Sequence, residues 1–396
     1  MFQKLALGRL VAIDGTDPQR GPWRHHAFVP EPLPTDEPAL SGKTYRGIAA
    51  ARASLAALDS TSRQLPNPTL LRMPTLSREA QSTSALEGTY APLAEVLIAD
   101  DEEPQTQELV EILNYVRTAT YAFDWVEDAR PLTASFLCDL QGILMRGTPL
   151  EDSSGRLRDT QVVIGQREDA DPKALPVENA RFVPPPPGPE LETGLASLMT
   201  WIQEPHADID PLVSAAMAHY QFETLHPFRD GNGRIGRLLI VLTLVHNGLL
   251  EEPTLTVSPW FEARRRRYYD RLLAVSTDGD WDGYIAFFAE GLRRAADDTH
   301  TEMRALVAVQ GELKDVIRGS RLRADNAHAL VDLAVANPSF TVRKVQEDLG
   351  VSYPRANTLV GQLVDLGVLA VVDADAYKRR FYAPRVLEVL TGGSDR

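Results

Sequence analysis

The residue types best suited to chemistry are concentrated in residues 226–237, which read HPFRDGNGRIGR. His226 can accept a hydroxyl proton near neutral pH, because the ordinary pKa of histidine is about 6.5. Four residues later Asp230 supplies a carboxylate, the group that usually helps a protein hold Mg²⁺ beside phosphates. The segment therefore predicts a general base and a metal-binding carboxylate on one loop.

The glycine-rich part of this segment predicts an anion-binding site. Gly231, Asn232 and Gly233 lead directly into a helix, where successive backbone N–H groups can converge on one phosphate. Arg234 and Arg237 follow in the first turn, where a cation is unfavourable by roughly 0.3–1 kcal/mol unless an anion is bound. Both arginines lie on one face of the helix, so we expect them to reach the same polyphosphate.

The elements that would position these residues are mainly helical. Apolar residues recur at helical spacing over 45–58, 77–87, 104–124, 132–145, 189–201, 211–226, 232–247, 260–273, 281–296 and 299–318. Residues 1–38 carry Pro, Gly and isolated charges, which predicts an extended arm with short strands or turns. Residues 155–165 and 180–187 are typical of two strands, the second limited by prolines, and predict a hairpin.

The C-terminal part has a different pattern. Helices are predicted over 327–335, 341–348 and 352–366, followed by two strands, an order typical of a winged helix-turn-helix. The apolar stripe of the third helix leaves polar residues outward that could contact bases or phosphates, namely Arg355, Asn357, Thr358 and Gln362. The Lys-Arg-Arg run at 378–380 would suit a DNA backbone. Residues 320–396 carry a net charge of only +1, however, so protein docking stays open beside DNA binding.

Composition excludes several classes of protein. The chain has 396 residues, of which 43% are apolar and 24% charged, as in a globular protein of two or three domains. The longest apolar runs fall short of the ~20 residues that cross a bilayer, and the N-terminus has no signal-peptide pattern. The single Cys138 is typical of a reducing cytoplasm, so we expect a cytoplasmic protein without a membrane span. The net charge of −14 disfavours a surface that binds nucleic acid throughout.

Residues 226–237 resemble the signature of the Fic/Doc family at its defining positions, which here are His226, Phe228, Asp230, Gly231, Asn232, Gly233, Arg234 and Arg237. The resemblance implies transfer of AMP from ATP to a Ser, Thr or Tyr hydroxyl of a target protein or of the chain itself. It implies that His226 deprotonates the hydroxyl and that Asp230 binds Mg²⁺. It also implies that residues 230–237, with Ile235 and Gly236 among them, bind ATP.

The resemblance extends to residues 83–88, which read TSALEG and are similar to the inhibitory-helix motif of the family. It implies that Glu87 inhibits the enzyme. Glu87 would close one helix and Arg237 would open another, and each charge opposes the dipole of its own helix. Pairing them would relieve both mismatches and remove Arg237 from the nucleotide, so an inhibited resting state is expected.

Residues 155–165 resemble the flap of the family, which implies that Val162, Val163, Ile164 and Gly165 line the nucleotide. A target segment would align with the flap by strand addition. Tyr268 stands where family members pack the adenine, and Ser276 stands where some of them carry an Asn that bonds the base.

These observations predict a mainly α fold, with a Fic-type helical core, a β-hairpin flap and a C-terminal winged helix-turn-helix domain. The expected domains are an N-terminal arm and helical region with the inhibitory helix (1–104), the catalytic core (105–298), a linker helix (299–319) and the winged helix (320–396). The expected function is an ATP- and Mg²⁺-dependent protein adenylyltransferase, inhibited through Glu87.

Several further points stay open in this reading. The same site could also remove AMP, with Glu87 positioning a water, and the family resemblance makes a homodimer reasonable. Two alternatives to adenylyl transfer remain. One is a Fic-like transferase of another phosphate-containing group, and the other is a nucleotide-sensing, DNA-binding regulator.

Overall fold

The computed structural model describes residues 7–18, 20–64, 72–99, 104–320, 322, 325–373 and 378–392. The fold is mainly helical with small antiparallel sheets, as predicted. The helices are α1 (Gly42–Gln64), α2 (Arg72–Glu87), α3 (Leu93–Ile98), α4 (Gln107–Glu127), α5 (Ala134–Leu144), α6 (Pro176–Asn179), α7 (Pro189–Gln203), α8 (Pro211–Leu225), α9 (Asn232–His246), α10 (Ser258–Glu262), α11 (Arg265–Asp278), α12 (Trp281–Gly319), α13 (Asp325–Ala336), α14 (Val342–Leu349), α15 (Tyr353–Asp365) and α16 (Pro384–Leu390). The strands are β1 (Gly8–Asp17), β2 (Gly21–Pro30), β3 (Ile164–Gln166), β4 (Ala180–Phe182), β5 (Phe340–Thr341), β6 (Ala370–Val371) and β7 (Arg380–Tyr382).

The chain divides into two compact units. The first is formed by described residues within 1–53, 117–251 and 260–293, and the second by those within 54–116, 252–259 and 294–396. Nowhere in the described ranges is a helix both long and apolar enough to cross a membrane.

The core of the first unit is built around α8 and α9. The side chain of Asp210 caps α8 by accepting a hydrogen bond from the Leu212 N–H at 2.9 Å, and Pro211 follows at the first helical position, where proline is favoured. Almost every residue of α8 and every residue of α9 up to Leu244 is buried. These two helices are therefore covered on all sides, unlike a surface helix, which buries only one apolar stripe.

Residues 8–30 form one long hairpin, so the predicted arm with short strands or turns was wrong. Strands β1 and β2 pair antiparallel over ten residues each, from Gly8 opposite Pro30 to Asp17 opposite Gly21. Buried residues of this hairpin share a cluster with those of the flap region, namely Ile13, Ala27, Leu175, Val177, Ala180 and Val183. The Phe28 N–H donates to the Val183 carbonyl at 2.9 Å, so the hairpin is hydrogen-bonded to the end of the flap region.

The flap is a much shorter hairpin than the sequence predicted. Strands β3 and β4 pair antiparallel, with Ile164 opposite Phe182 and Gln166 opposite Ala180. Residues 184–187 are prolines and have no N–H to extend the ladder. The backbone N–H of Arg158, in the segment before β3, donates to the Pro227 carbonyl at 3.0 Å and is therefore not used in strand pairing.

In the second unit, α2 is fastened by buried polar contacts. The Glu79 carboxylate accepts from the Ser258 backbone N–H at 2.9 Å and from the Ser258 hydroxyl, at the start of α10. The Arg78 guanidinium pairs with Glu302 of α12, and burial raises the pKa of that carboxyl. Arg72 pairs with Glu252 at 3.3 Å. The helix that ends at Glu87 is thus held at several points along its length.

Helix α12 is continuous over 39 residues, whereas the sequence predicted two helices with a break at 297–298. Residues 297–300 contain neither Pro nor Gly, so nothing there ends a helix. Thr299 is buried, and its hydroxyl lies 2.8 Å from that of Thr256.

The C-terminal part contains α13, α14 and α15 followed by β6 and β7, which is the predicted order. A short strand between α13 and α14, β5, was not predicted, and the three strands are arranged β5-β7-β6. The Thr341 side chain caps α14 by accepting from the Lys344 N–H at 3.3 Å, and Gly350 ends that helix with φ +61°. A last helix, α16, was not predicted.

Candidate active site

The central loop of the site connects α8 to α9 and begins at His226. This residue closes α8 in the left-handed region, with φ 49° and ψ 61°, and its N–H donates to the Phe222 carbonyl at 3.0 Å. A residue other than glycine adopts this conformation uncommonly, so surrounding contacts must hold it. The turn directs the chain from the end of one buried helix to the start of another within six residues.

The imidazole of His226 is half-buried and is oriented by the main chain. Its Nδ1 lies 3.4 Å from the Glu223 carbonyl oxygen, which can only accept a hydrogen bond. A neutral ring protonated on Nδ1 would satisfy this contact and would keep its lone pair on Nε2. This is the tautomer that a general base needs.

Asn232 closes the loop with two hydrogen bonds to one residue. Its Oδ1 accepts from the Phe228 N–H at 2.9 Å, and its Nδ2 donates to the Phe228 carbonyl, also at 2.9 Å. Phe228 itself is completely buried, so it anchors the loop in the core. The side chain of Asn232 is occupied in this way, so only its backbone N–H can contribute to an anion site.

The start of α9 is prepared for an anion. The N-cap residue is Gly231, with φ +84°, which has no side chain to cap the helix. The first turn has no acidic residue and no intrahelical acceptor for its N–H groups. A Cβ on Gly231 would lie 2.8 Å from Leu144 Cδ2, so packing as well as backbone conformation requires glycine here.

Two charged groups stand beside these N–H groups. Asp230 is half-exposed, and its Oδ1 accepts from the Gly231 N–H at 2.7 Å. Its Oδ2 lies 3.4 Å from Arg234 Nη2. Arg234 and Arg237 are 2% and 1% exposed, so two cations are held in the interior next to a helix N-terminus. Positive side chains in the first turn oppose the helix dipole, and an anion at this helix end would offset that opposition.

Gln141 of α5 links this loop to the start of the flap region. Its Nε2 donates to the Asp230 carbonyl at 3.3 Å, and its Oε1 accepts from the Gly155 N–H at 2.6 Å. The side chain is buried, so these bonds are shielded from water. Gln141 was not predicted from the sequence, because a glutamine on an amphipathic helix has no local signal for such a role.

The remaining predicted residues of α9 serve packing. Ile235 is buried in the core. A Cβ on Gly236 would lie 2.3 Å from Glu223 Oε1 and 3.1 Å from Phe222 Cδ1, so glycine lets α8 and α9 approach closely.

The predicted flap residues lie in and just before β3. Val162, Val163 and Ile164 are partly buried, and Gly165 is exposed with φ +63°. Val163 packs against the apolar cluster shared with the N-terminal hairpin. Its side chain therefore faces that cluster, which leaves less of this segment to line a ligand than was expected.

Tyr268 and Ser276, which were expected to contact a nucleotide base, lie in the core. The Tyr268 ring is 0% exposed and lies within 6 Å of the rings of His219, Phe261 and Tyr269, measured between centroids. The buried Ser276 hydroxyl lies 2.9 Å from Tyr220 Oη. Both residues join α11 to α8, because they sit on the face of α11 that packs inward.

His219 is the centre of that contact. Its Nε2 lies 2.7 Å from Tyr268 Oη and its Nδ1 lies 2.9 Å from the Gly236 carbonyl oxygen. Since the carbonyl can only accept, Nδ1 donates and the tyrosine hydroxyl donates to Nε2. Burial lowers the pKa of His219 to about 3, so the ring is neutral at working pH.

Glu87 is the last residue of α2, as the motif predicted, and it belongs to the second unit. Gly88 follows with φ +100°, the left-handed conformation that favours glycine after a helix. The negative charge at this end of α2 opposes the helix dipole.

Comparison with known proteins agrees with this site. Residues 131–244 match the Fic/DOC family, and residues 45–124 match the Fic/DOC family N-terminal region. Residues 131–244 are thus similar to the Fic/DOC family domain, and the residues before them are similar to the N-terminal region of that family.

The curated relatives include the protein adenylyltransferase Fic of Aedes aegypti, 35% identical over 116 residues, or 29% of this chain and 22% of that protein. Protein adenylyltransferase fic-1 of Caenorhabditis elegans is 32% identical over 149 residues, or 37% of this chain and 24% of that protein. The matched parts thus span about a quarter of these relatives. A Fic family protein from Desulfovibrio desulfuricans G20 has a similar fold, with a TM-score of 0.55, 22% identity, and coverage of 88% of this chain and 98% of that one.

Proposed function

We propose that this chain is a protein adenylyltransferase, which transfers AMP from ATP to a hydroxyl group of a protein. One observation carries the proposal: His226, whose Nδ1 faces a main-chain carbonyl, is followed within six residues by a helix N-terminus that has no side-chain cap and carries two buried arginines. A proton acceptor and a polyphosphate site thus share one loop. The names of the curated relatives support the same reaction.

In the proposed reaction, His226 Nε2 takes the proton of a Ser, Thr or Tyr hydroxyl. The hydroxyl oxygen forms a bond to the α-phosphorus of ATP, and the bond from that phosphorus to the bridging oxygen breaks, releasing pyrophosphate. The N–H groups at the start of α9 would hold the phosphates. Arg234 and Arg237 would balance the negative charge of the phosphates.

Asp230 would hold Mg²⁺ together with the phosphates of ATP. Within the described ranges, no group of three or more His, Cys, Asp or Glu side chains could hold a metal ion. A single half-exposed carboxylate fits a metal that takes most of its ligands from phosphates and water. When bound, Mg²⁺ would neutralise charge on the phosphates.

The proposal includes inhibition through Glu87. It is supported by the resemblance of residues 83–88 to the inhibitory motif and by the position of Glu87 at the C-terminal end of a helix, where its charge is unfavourable. Replacing Glu87 with glycine is then expected to release the activity. Reversal of the reaction, with Glu87 positioning a water, belongs to the same hypothesis, and a homodimer enters it only through the family resemblance.

Intact-protein mass spectrometry after incubation with ATP and Mg²⁺ tests the proposal. We expect self-modification by one AMP in Glu87→Gly and little or none in the wild type. A phosphate-sized increment would instead favour transfer of another phosphate-containing group. Absence of any increment on the chain or on added proteins from the same cell, despite ATP binding, would favour the sensor hypothesis.

Residues 325–382 support a second candidate function, sequence-specific DNA binding by a winged helix. The supporting observation is the exposed face of α15, where Arg355, Asn357 and Thr358 point outward while Ala356, Leu359 and Leu363 are buried. Lys378 and Arg379 are also exposed. These side chain types bind base edges and phosphates.

Fluorescence anisotropy with a randomised duplex library, followed by selection of the bound fraction, tests this second function. We expect binding that weakens as salt increases and is reduced in Arg355→Gln. Arg343→Gln, which removes an exposed charge from α14, is the matched control. Equal binding by both variants would contradict recognition through α15.

A further inference from the structure

Arg158 is a buried arginine whose hydrogen-bond partners are all main-chain carbonyls. It is 3% exposed. Its Nε donates to the His226 carbonyl at 2.8 Å, and its Nη1 donates to the Thr160 carbonyl at 3.2 Å. Its Nη2 donates to the Pro185 carbonyl and, at 3.5 Å, to the Leu225 carbonyl. One guanidinium thus uses all three of its nitrogens on the loop and the flap.

The charge of Arg158 has no opposite charge beside it. No carboxylate in the described part of the chain forms an ion pair with this guanidinium, and burial lowers its pKa to about 10. The group is still protonated at neutral pH. A buried, unpaired cation is costly, so its presence indicates that the directed hydrogen bonds to these carbonyls are needed.

The carbonyls that Arg158 binds belong to three segments that must be arranged together. His226 is the residue in the left-handed conformation, whose carbonyl the helix no longer uses. Thr160 precedes the first strand of the flap, and Pro185 follows the second. The backbone N–H of Arg158 also donates to the Pro227 carbonyl at 3.0 Å. The loop that carries the base is therefore bonded to both arms of the flap through one residue.

We propose that Arg158 is a positioning residue, which fixes the orientation of the His226 imidazole relative to the flap by bonding the main chain of both. Its catalytic consequence rests on the proposed function, whereas its effect on the loop does not. A solely structural arginine would lower stability and all activities together. A positioning residue affects proton transfer while nucleotide binding by α9 continues.

The experiment compares Arg158→Met and Arg158→Lys with the control Arg156→Met, all in the Glu87→Gly variant. Arg156 lies on the same segment but is exposed, so its replacement removes the same charge without touching the loop. Three quantities are measured: the single-turnover rate of AMP incorporation at saturating ATP, the Kd of ATP by calorimetry, and hydrogen exchange of residues 222–231.

We expect Arg158→Met to slow transfer at least about 100-fold, because a displacement of a reacting group by ~1 Å has that effect. The Kd of ATP should change by less than about threefold, since a factor of three is only about 0.65 kcal/mol. Exchange within 222–231 should become faster. The transfer rate of Arg158→Lys should lie between that of Arg158→Met and that of the parent, because an ammonium keeps the charge but cannot reach all of these carbonyls. Arg156→Met should match the parent.

Folded Arg158 variants that transfer at the parental rate would overturn the proposal, and so would a Kd that rises in step with the loss of rate. If Arg158→Met does not fold, Arg158→Lys decides by the same criteria. If Glu87→Gly itself transfers nothing, the proposed function fails, and hydrogen exchange decides the positioning role alone. Unchanged exchange in 222–231 would then refute it, and faster exchange there would support it.

Discussion

The amide of Asn232 and the main chain of Phe228 exchange two hydrogen bonds of 2.9 Å each, which closes the loop that begins at His226. Both residues are buried, so water cannot replace either bond. The loop is therefore held by Asn232, which belongs to it, and by Arg158, which lies in another segment of the chain. The arrangement of the site depends on these two polar side chains as well as on the residues that contact substrate.

Replacement of Asn232 tests the closure of the loop. Asn232→Ala leaves the Phe228 N–H and carbonyl without partners, which should lower the free energy of unfolding by about 2–4 kcal/mol. Asn232→Asp keeps the acceptor for the Phe228 N–H, so its free energy of unfolding should decrease less. Urea denaturation measures both. Asn247→Ala, at the other end of α9, is the control and should lose well under half as much, since its bond to Pro211 is 3.5 Å long. Equal losses at the two positions would contradict the account.

The close approach of α8 and α9 makes a prediction for Gly236. Gly236→Ala places a Cβ 2.3 Å from Glu223 Oε1, so we expect a destabilisation of about 1–3 kcal/mol. Gly311→Ala is the matched control in α12, because a Cβ there meets nothing within 4 Å. The control should be stabilised by about 0.5–1 kcal/mol, the difference in helix propensity. Thermal unfolding of both variants measures the effect, and a stabilised Gly236→Ala would show that the helices are not this close.

The buried His219 predicts a dependence of stability on pH. Its pKa is lowered to about 3 in the folded chain, against about 6.5 when unfolded. Between these values only the unfolded chain binds the proton, so the free energy of unfolding should decrease as the pH falls, by up to about 1.4 kcal/mol per pH unit. The contribution is fully present above about pH 6.5.

His219→Asn isolates this contribution, because Asn can still donate to the Gly236 carbonyl but does not titrate. Its unfolding free energy should fall less steeply from pH 6.5 towards pH 4 than that of the wild type. His246→Asn, which replaces an exposed histidine, should keep the wild-type slope. Parallel curves for His219→Asn and the wild type would refute a neutral buried His219.

The carboxylate at the anion site predicts a change in metal dependence. In the Glu87→Gly background, Asp230→Asn keeps an acceptor for the Gly231 N–H but loses a charged metal ligand. The Mg²⁺ concentration for half-maximal transfer should rise by about tenfold, which corresponds to about 1.4 kcal/mol of metal affinity. A titration of the transfer rate with Mg²⁺ measures it. An unchanged midpoint would remove Asp230 from the metal site.

The sequence predicted most of the helices and the central motif because their signals are local. Asp210 and Pro211 mark the start of α8, and the Gly-Asn-Gly run marks the turn into α9. The order of the three helices α13, α14 and α15 and the two strands β6 and β7 was also predicted, since apolar spacing and Gly350 indicate it, whereas the two-residue strand β5 was not.

The rest depends on tertiary contacts that no local pattern contains. Arg158 binds carbonyls up to 68 residues away, and an arginine next to a strand gives no sign of burial. Tyr268 resembled a ligand contact, but the aromatic rings that enclose it come from other helices. The hairpin of residues 8–30 was missed because it is stabilised by the flap cluster, which lies some 150 residues further along the chain.

The transfer of label from ATP tests the central claim most directly. Glu87→Gly is incubated with Mg²⁺ and ATP labelled either at the α-phosphate or at the γ-phosphate, beside the same protein with His226→Ala added. The account predicts stable protein-bound label from the α-position alone, reduced at least about 100-fold by His226→Ala. Label retained from the γ-position, or α-label that is equal with and without His226, would contradict adenylyl transfer by this site.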